Sequence, residues 1–215
     1  MNQSGVEPAK VCAVILAGGR GLRMGGVDKG LQTFQGLPMA RHALQRLQAQ
    51  QGGAPAVIGF NANRNPEAYA QWGPVWPDLD PDYAGPLAGF AAALQHCPQD
   101  CEWLLTVPCD SPRFPLDLLS RLGAGLHAAA ADLAVATAPE WQPDGSSVLR
   151  SQPVFCLLHT RLRDSLLAFV QGGGRKIDAW TAQHACVRVP FGAPGDALAF
   201  SNVNTRDQLA AMETP

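Results

Sequence analysis

Charged side chains are scarce in this sequence. Asp, Glu, Lys and Arg make up 16% of its 215 residues, whereas an average soluble domain has about 25%. Disordered chains are usually rich in charge and poor in apolar residues, and here apolar residues make up 47%. We therefore expect nearly the whole chain to fold. The formal net charge of −2 argues against the clustered basic surface by which proteins bind duplex nucleic acid.

Long apolar runs are also missing. No stretch of 18 or more apolar residues is present, so we expect no membrane-spanning helix. Residues 1–10 lack the apolar stretch of a secretory signal, and we interpret them as a flexible tail before a single domain at residues 11–215. Without an export signal we expect a cytoplasmic protein whose cysteines are free thiols. These cysteines are Cys12, Cys97, Cys101, Cys109, Cys156 and Cys186.

Several common catalytic and binding signatures are absent. The five histidines have no spacing typical of a zinc site, and no Ser-His-acid set stands out. A Walker loop needs Gly-Lys followed by Ser or Thr, but Lys29 stands between Asp28 and Gly30. A dinucleotide-binding fingerprint starting at Gly19 would need glycine at position 24, where Met24 stands.

Strand-like and helix-like segments alternate along the chain. Continuous apolar runs at residues 11–16 and 103–107 are typical of parallel strands covered on both faces. Further strands are predicted at 56–60, 75–76, 133–137, 154–158, 187–189 and 199–200. Helices are predicted at 40–50, 86–96, 116–131, 160–170 and 205–212. This alternation predicts an α/β fold, a Rossmann-like three-layer α/β/α sandwich with a mostly parallel sheet.

The strongest local feature is a glycine-rich segment after the first predicted strand. Five glycines stand between positions 18 and 26, and Lys29 follows them. Glycine lets the backbone turn tightly and approach a ligand, and successive N–H groups form a concave anion site. Arg20, Arg23 and Lys29 add positive charge. Since open α/β sheets bind ligands beyond the carboxyl ends of their strands, we predict a polyphosphate site rather than a surface loop without a ligand.

Acidic and amide side chains follow other predicted strands. Asp110 follows the strand at 103–107 and is a hard oxygen ligand suited to Mg²⁺; the alternative is that it caps the next helix. The segment Asn61-Ala-Asn63 and the residue Asp78 also follow strands, where an amide and a carboxylate can recognise a base or a ribose. The alternative for these two is loop capping, which Asn and Asp favour anywhere.

Together these motifs resemble the molybdenum cofactor guanylyltransferase family of nucleotidyltransferases. The signature is Leu-Ala-Gly-Gly at 16–19, Arg-Met-Gly at 23–25 and Asp-Lys at 28–29. Later motifs follow in family order to about residue 212: Gly-Pro-Leu-Ala-Gly at 85–89, Pro-Cys-Asp at 108–110, Gln-Pro at 152–153, Gly-Gly-Gly-Arg-Lys at 172–176 and Asn-Val-Asn at 202–204. The resemblance implies a fold of the nucleotidyltransferase type.

The resemblance implies transfer of GMP from GTP to the terminal phosphate of molybdenum-bound molybdopterin, with release of diphosphate. It implies catalytic roles for Arg23, Lys29 and Asp110, with Mg²⁺ as cofactor on Asp110. Nucleotide-binding motifs would lie mainly at 11–112: Leu16, Ala17, Gly18, Gly19, Lys29, Asn61, Asp78, Gly85 and Asp110. Pterin-binding motifs would lie mainly at 150–205: Gln152, where the family commonly has His, Arg175, Lys176, Asn202 and Asn204.

Alternatives to this interpretation remain open. For Arg175 and Lys176 the alternative is a helix C-cap at Gly172 followed by two solvated cations. A CTP-using molybdopterin cytidylyltransferase or a sugar-phosphate nucleotidyltransferase would usually have Leu-Ala-Ala-Gly at positions 16–19. A non-catalytic carrier or adaptor of the nucleotide or pterin cofactor would not need both Lys29 and Asp110.

The resemblance also bears on binding partners. It implies GTP and the molybdopterin cofactor as substrates, with cofactor-insertion proteins or acceptor molybdoenzymes as candidate partners. We expect a monomer without a nucleic-acid or membrane partner.

Overall fold

The computed structural model describes residues 5–17, 28–79, 85–141, 144, 146–193, 196 and 199–203. The strands are β1 (Val11–Leu16), β2 (Thr33–Phe34), β3 (Leu37–Pro38), β4 (Val57–Asn61), β5 (Trp103–Pro108), β6 (Leu133–Trp141), β7 (Ser147–His159) and β8 (Cys186–Pro190). The α-helices are α1 (Met39–Gln48), α2 (Pro66–Ala70), α3 (Pro86–His96), α4 (Leu118–Ala129), α5 (Arg163–Gln171) and α6 (Ile177–Thr181). Short 3₁₀ helices lie at Pro8–Lys10, Lys29–Leu31 and Thr160–Leu162.

A six-stranded sheet in the order β4-β1-β5-β7-β6-β8 forms the centre of the described fold, and β2 and β3 pair separately as a hairpin. β1 is parallel to β4 and β5, and β6 is parallel to β8. β7 is antiparallel to both β5 and β6. The prediction of a mostly parallel sheet is confirmed. The register sets Leu16 beside both Asn61 and Pro108, so β4, β1 and β5 end at one edge of the sheet.

Helices cover both faces of this sheet, which confirms the three-layer α/β/α sandwich. Val11, Ala13 and Ile15 of β1 pack into one apolar core with α1 and α4. Cys12 and Val14 pack into a second core with α3, α5 and α6. An apolar run without alternation is what a strand buried on both sides requires. Within the described residues, no helix is long and apolar enough to cross a bilayer.

The β6–β7 hairpin extends further than the sequence predicts. The strands predicted at 133–137 and 154–158 are parts of strands that continue to Trp141 and back to Ser147. The pairing shifts in register between Val135 and Ala136, which is a β-bulge. Residues 147–150 are exposed. Their two apolar residues, Val148 and Leu149, stand between polar neighbours, so they do not form the continuous apolar run by which a buried strand is recognised.

Other differences concern short elements. The strand predicted at 199–200 is wrong, because Ala199 and Phe200 are buried in a turn, and burial of an apolar pair does not require a strand. The strand predicted at 75–76 is reduced to a single bridge from Val75 to Phe60. The β2–β3 hairpin, α2 and α6 are too short for a periodic pattern to predict them. The helix predicted at 205–212 lies outside the described residues.

Residues 5–10, which the sequence suggested were part of a flexible tail, lie against the domain. Val6 packs on the core shared by α1 and α4, beside Gly123. The Ala56 N–H donates a hydrogen bond to the Pro8 carbonyl over 3.2 Å. The described part of the tail is therefore packed, because Val6 supplies an apolar anchor. The six cysteines are free thiols, as predicted.

Candidate active site

Hydrogen bonds extend the parallel pairing past the ends of the strands. The Ala17 N–H donates to the Asn61 carbonyl over 2.9 Å, and the Cys109 N–H donates to the Leu16 carbonyl over 3.1 Å. These bonds fix the first residues beyond β1 and β5 side by side. Ala17, the last described residue before the glycine-rich segment, therefore lies along the same edge of the sheet as Asn61 and Asp110, as the sequence predicts.

Lys29 and Asp110 meet at this edge. The Lys29 Nζ lies 3.3 Å from Asp110 Oδ2, and the two side chains are only 21% and 18% exposed. Burial raises the pKa of the Asp110 carboxyl, and the Lys29 charge opposes that rise. The helix-capping alternative for Asp110 is wrong, because α4 begins only at Leu118 and its N-cap residue is Asp117. Asp110 is therefore a mostly buried carboxylate whose ionised form depends on a neighbouring cation.

Asp28, directly before Lys29, has a hydrogen-bond shell that the sequence analysis missed. Its carboxylate is 7% exposed. Oδ1 accepts from the Gly30 N–H over 3.2 Å and from the Tyr69 hydroxyl over 2.5 Å, and Oδ2 accepts from Asn65 Nδ2 over 3.1 Å. Tyr69 and Asn65 are 41 and 37 positions away from Asp28, so no local pattern connects them to it.

Asn61, Asn63 and Asp78 form a second network. Asn61 Nδ2 donates to Asp78 Oδ1 over 2.8 Å, and Asn63 Nδ2 donates to Asp78 Oδ2 over 2.7 Å. The Asp78 N–H returns a bond to Asn63 Oδ1 over 2.7 Å. Asn61 also donates to the Trp76 carbonyl over 2.9 Å. Both amides thus orient the Asp78 carboxylate, and Asn63 belongs to this network although the family resemblance assigned only Asn61 and Asp78 to the nucleotide.

Helix α3 begins after one glycine, Gly85, and approaches this edge closely at another, Gly89. Gly85 precedes α3 with φ +120°, a left-handed conformation that glycine adopts readily. At Gly89 a Cβ atom would come within 2.5 Å of Asn61 Oδ1 and within 2.7 Å of Leu16 Cδ2. The absence of a side chain at Gly89 therefore lets the N-terminal half of α3 pack directly on Leu16 and Asn61.

Among the pterin-site candidates, Asn202 is joined directly to the Asp110 segment. The Ser111 hydroxyl donates to Asn202 Oδ1 over 2.5 Å, and the Val203 N–H donates to the Asp110 carbonyl over 2.8 Å. Ser111 is fully buried, whereas Asn202 is exposed. The segment at 202–203 is therefore held next to Asp110, although about 90 positions separate them in the chain.

Gln152 and Lys176 lie around the base of the extended hairpin. Gln152 pairs with Ala136 in the part of β7 that continues beyond its pairing with β5. Its neighbour Ser151 donates to Asp178 Oδ1 over 3.4 Å, which ties α6 to β7. Lys176 directly precedes α6 and is exposed.

Arg175 is likewise exposed, between α5 and α6. The loop that carries it begins at Gly172, which caps α5. The predicted C-cap is therefore present, and its presence does not decide whether Arg175 and Lys176 bind a ligand. Four further candidates lie outside the described residues, and their roles stay predictions: Gly18, Gly19, Arg23 and Asn204.

The carboxylate of Asp110 has the chemistry of a magnesium ligand. In the described ranges no group of three or more His, Cys, Asp or Glu side chains is arranged to hold a metal ion. Mg²⁺ in nucleotide-dependent enzymes is typically bound by one or two carboxylates together with substrate phosphates and water. A single, mostly buried carboxylate at the edge where a polyphosphate is expected fits that pattern.

Comparisons with known proteins match nearly the whole chain. The family model described as "MobA-like NTP transferase domain" matches residues 13–187. Over 211 residues the chain is 56% identical to the molybdenum cofactor guanylyltransferase of Acidovorax sp. (strain JS42), and the match covers 97% of each chain. It is 57% identical over 205 residues to the molybdenum cofactor guanylyltransferase of Albidiferax ferrireducens, covering 94% of this chain and 95% of the relative.

Solved structures share the fold at low sequence identity. Molybdopterin-guanine dinucleotide biosynthesis protein A from Archaeoglobus fulgidus matches with a TM-score of 0.70 and 22% identity, over 94% of this chain and 96% of that one. The 4-diphosphocytidyl-2C-methyl-D-erythritol synthase from Anaerococcus prevotii also has a TM-score of 0.70, with 12% identity over 96% and 97% of the chains. At these identities the likeness concerns the fold alone.

Proposed function

The chain belongs to the MobA-like NTP transferase family, and on that premise we propose that it transfers GMP from GTP to the terminal phosphate of molybdenum-bound molybdopterin, releasing diphosphate. The observation that carries the proposal is the Lys29–Asp110 pair at the edge where β1 and β5 end. A cation and a mostly buried carboxylate at the carboxyl end of parallel strands suit the handling of a polyphosphate. Relatives that are identical to this chain at more than half of the aligned positions are named molybdenum cofactor guanylyltransferases, and their names supply the guanylyl group and the molybdenum cofactor as acceptor.

The chemistry requires one anion to approach another. An oxygen of the pterin phosphate forms a bond to the α-phosphorus of GTP, and the bond from that phosphorus to the β-bridging oxygen breaks, so diphosphate leaves. The attacking phosphate is already ionised near neutral pH, so no strong general base is needed. Positioning and charge neutralisation therefore account for most of the catalysis expected here.

Lys29 and Asp110 would each neutralise part of the negative charge on the phosphates. Lys29 places a positive charge beside the phosphates, and Arg23 and the backbone N–H groups around Gly18 and Gly19 are proposed to do the same. Mg²⁺, held by Asp110, would supply Lewis-acid neutralisation of the α-phosphate and the leaving diphosphate. The 3.3 Å approach of Lys29 to Asp110 supports the proposal that both would act on the same part of the nucleotide.

The two substrates would bind along different stretches of the edge. Asn61, Asp78 and Gly85, which lie around α3 and β4, are proposed for the base and ribose, with Leu16 and Ala17 below them at the end of β1. The Asn61 and Asn63 amides hold the Asp78 carboxylate ready to accept from donors on a base or a ribose.

The pterin cofactor would lie on the other flank of Asp110. Asn202, held by Ser111 beside Asp110, is proposed to bind it together with Asn204. Gln152, Arg175 and Lys176 would complete that side from the hairpin and the α5–α6 loop.

Two other candidate functions predict different outcomes. A cytidylyltransferase or a sugar-phosphate nucleotidyltransferase would use the same edge with another nucleotide or acceptor. A carrier would bind GTP or the pterin cofactor without breaking a phosphoanhydride bond. A buried Lys–Asp pair is not needed by a carrier, which favours catalysis.

The deciding experiment supplies the purified protein with Mg²⁺, molybdenum-loaded molybdopterin and either GTP or CTP. We expect diphosphate release and formation of the guanine dinucleotide with GTP, and little of either with CTP. Turnover of CTP instead would assign the cytidylyl reaction. Binding of both ligands without diphosphate release would support the carrier.

We also propose a cytoplasmic monomer that passes its product to cofactor-insertion proteins or acceptor molybdoenzymes. Sedimentation at working concentration should give a mass near the 22.8 kDa of one chain. A mass twice as large would contradict the monomer.

A further inference from the structure

Lys29 follows a residue whose side chain is almost completely enclosed. The Asp28 carboxylate is 7% exposed and accepts hydrogen bonds from the Gly30 N–H, the Tyr69 hydroxyl and Asn65 Nδ2. A buried carboxylate is costly unless hydrogen bonds compensate its lost hydration. Three donors on its two oxygens provide that compensation and also fix its direction.

Two of the three donors come from one short element. Tyr69 lies in α2, and Asn65 is the residue directly before it. Asn65 adopts φ +46° and ψ +44°, a left-handed conformation that is uncommon for residues other than glycine. From this conformation its amide reaches Asp28 Oδ2 while Tyr69 reaches Oδ1. Helix α2 therefore presents a two-point clamp for a single carboxylate.

Packing against the core fixes the position of Tyr69. The Tyr69 side chain is completely buried, and its ring packs against Phe60, with centroids 5.5 Å apart, and against Trp72, at 5.8 Å. Since Phe60 belongs to β4, the hydroxyl of Tyr69 has a fixed position relative to the central sheet. The same sheet carries Asp110 at the end of β5.

The residue that follows Lys29, Gly30, is fixed as well. A Cβ atom at Gly30 would overlap the Tyr69 hydroxyl, so only glycine allows the chain to pass this close to the ring. The Gly30 N–H donates to Asp28 Oδ1, and the Gln32 N–H donates to the Lys29 carbonyl over 3.1 Å. The backbone of Lys29 thus lies between Asp28, which accepts a hydrogen bond from Tyr69, and Gly30, whose N–H donates to the same Asp28 oxygen.

We infer that Tyr69, acting through Asp28, is a positioning residue that fixes the backbone of Lys29 so that its ammonium group reaches the Asp110 edge. This inference rests on the role proposed for Lys29. A lysine side chain is long and flexible, and anchoring its backbone reduces the positions that its ammonium samples. Preorganised charge is what stabilises a transition state without a cost of reorganisation.

A double-mutant cycle tests the inference. Tyr69→Phe removes one hydroxyl and keeps the ring, and Lys29→Ala removes the group that Tyr69 is inferred to position. We expect Tyr69→Phe to lower kcat roughly fivefold to tenfold in the wild-type background, which is within the range for loss of one typical hydrogen bond. In the Lys29→Ala background the same change should lower kcat by less than about twofold, because residues that act through one another are not additive.

A second readout does not depend on turnover. Titration calorimetry of GTP without the pterin substrate should show weaker binding for Tyr69→Phe in the wild-type background only. Gln71→Ala is the matched control, because Gln71 follows α2, is exposed and bonds to the Ala68 carbonyl. It should match wild type in both measurements.

The outcomes separate the inference from the proposed function. An equal loss for Tyr69→Phe in both backgrounds, or no loss in either, would overturn the positioning role. Formation of the guanine dinucleotide by the wild-type protein tests the proposed function independently. If Tyr69→Phe fails to fold, Asp28→Asn provides the same cycle, because it keeps an acceptor for Tyr69 but turns an amide N–H₂ toward Asn65. Asp28→Asn should then lower kcat in the wild-type background and have little effect on kcat in the Lys29→Ala background.

Discussion

The Lys29 Nζ lies 3.3 Å from Asp110 Oδ2, although 81 positions separate the two residues in the chain. Parallel pairing of β1 with β5 brings these two segments to the same edge. In this pair the Lys29 charge partly offsets the rise that burial causes in the pKa of the Asp110 carboxyl.

Asp110→Asn should reduce turnover by about a hundredfold or more, since it keeps the size of the side chain but removes the charge that Mg²⁺ needs. Steady-state kinetics measure the loss, and circular dichroism should show an intact fold. Asp117→Asn is the control, because Asp117 lies at the start of α4 and pairs with Arg121 at 3.5 Å. Near-normal activity of Asp110→Asn would remove Asp110 from the mechanism.

Lys29→Ala should weaken GTP binding or its turnover, because a fixed positive charge beside the polyphosphate is lost. Binding of the pterin cofactor should be largely unchanged. Lys10→Ala provides a lysine control, because Lys10 forms only a 3.9 Å pair with Glu102 and both side chains are well exposed, a type of pair that contributes little. Unchanged GTP kinetics in Lys29→Ala would leave the phosphates to backbone amides and arginines.

GTP should bind more tightly than ATP or CTP, and Asp78→Asn should reduce that preference. The substitution replaces one carboxylate oxygen by an N–H₂ group, which would face the amide N–H₂ of Asn61 or Asn63. Calorimetry of the three nucleotides with both proteins measures the effect. A wild-type preference for CTP would contradict the guanylyl assignment, whereas an unchanged preference in Asp78→Asn would contradict only the role of Asp78.

Arg175→Ala and Asn202→Ala should impair pterin binding or transfer, while GTP affinity stays within about threefold of wild type, a change of under roughly 0.7 kcal/mol. A guanidinium suits a phosphate, and Asn202 lies exposed beside Asp110. Arg163→Ala controls for loss of an exposed arginine, since Arg163 pairs with Asp164 on α5. The same expectation holds for Asn204→Ala on the family motif alone. Loss of GTP affinity with retained pterin affinity would contradict this division.

His159 should make the free energy of unfolding depend on pH. Burial and then the Arg161 charge lower the pKa of the imidazole, and its Nδ1 accepts from the Arg161 N–H over 3.2 Å, which requires the neutral ring. The unfolded chain therefore takes up a proton near pH 6.5, before the folded protein does. Stability should fall as the pH drops below about 6.5, and His159→Gln should lose less between pH 7.5 and 5.5. Equal pH dependence of both proteins, measured by urea unfolding, would contradict this.

Sequence patterns predict those parts of the structure that are determined by residues close together in the chain. The limits of β1 and α3 were predicted to the residue, because an apolar strand covered on both faces and a proline-initiated helix leave distinct patterns. Lys29 and Asp110 were predicted to share an edge, because the carboxyl ends of parallel strands always do. β7 was predicted too short, since residues 147–150 extend it with only one exposed apolar pair, Val148 and Leu149, and not with a longer apolar run.

The partners of Asp28 could not be predicted in the same way. In the sequence Tyr69 cannot be distinguished from an ordinary core residue, and Asn65 cannot be distinguished from an ordinary loop residue. Only the packing of α2 against β4 brings them to one carboxylate. The network around Asp78 could not be predicted for a related reason, because the sequence does not show that the amides of Asn61 and Asn63 bind the same side chain.

The close approach of α3 has a consequence for redesign of the base preference. At Gly89 the position of an absent Cβ is 2.5 Å from Asn61 Oδ1, so there is no free volume on that side. A bulkier residue at position 61 or 89 would have to push the helix off the sheet and would disturb Leu16 at the same time. Positions 16, 61 and 89 therefore cannot be changed independently of one another. An engineered preference for another nucleotide has to begin at Asp78, on the open side of the network.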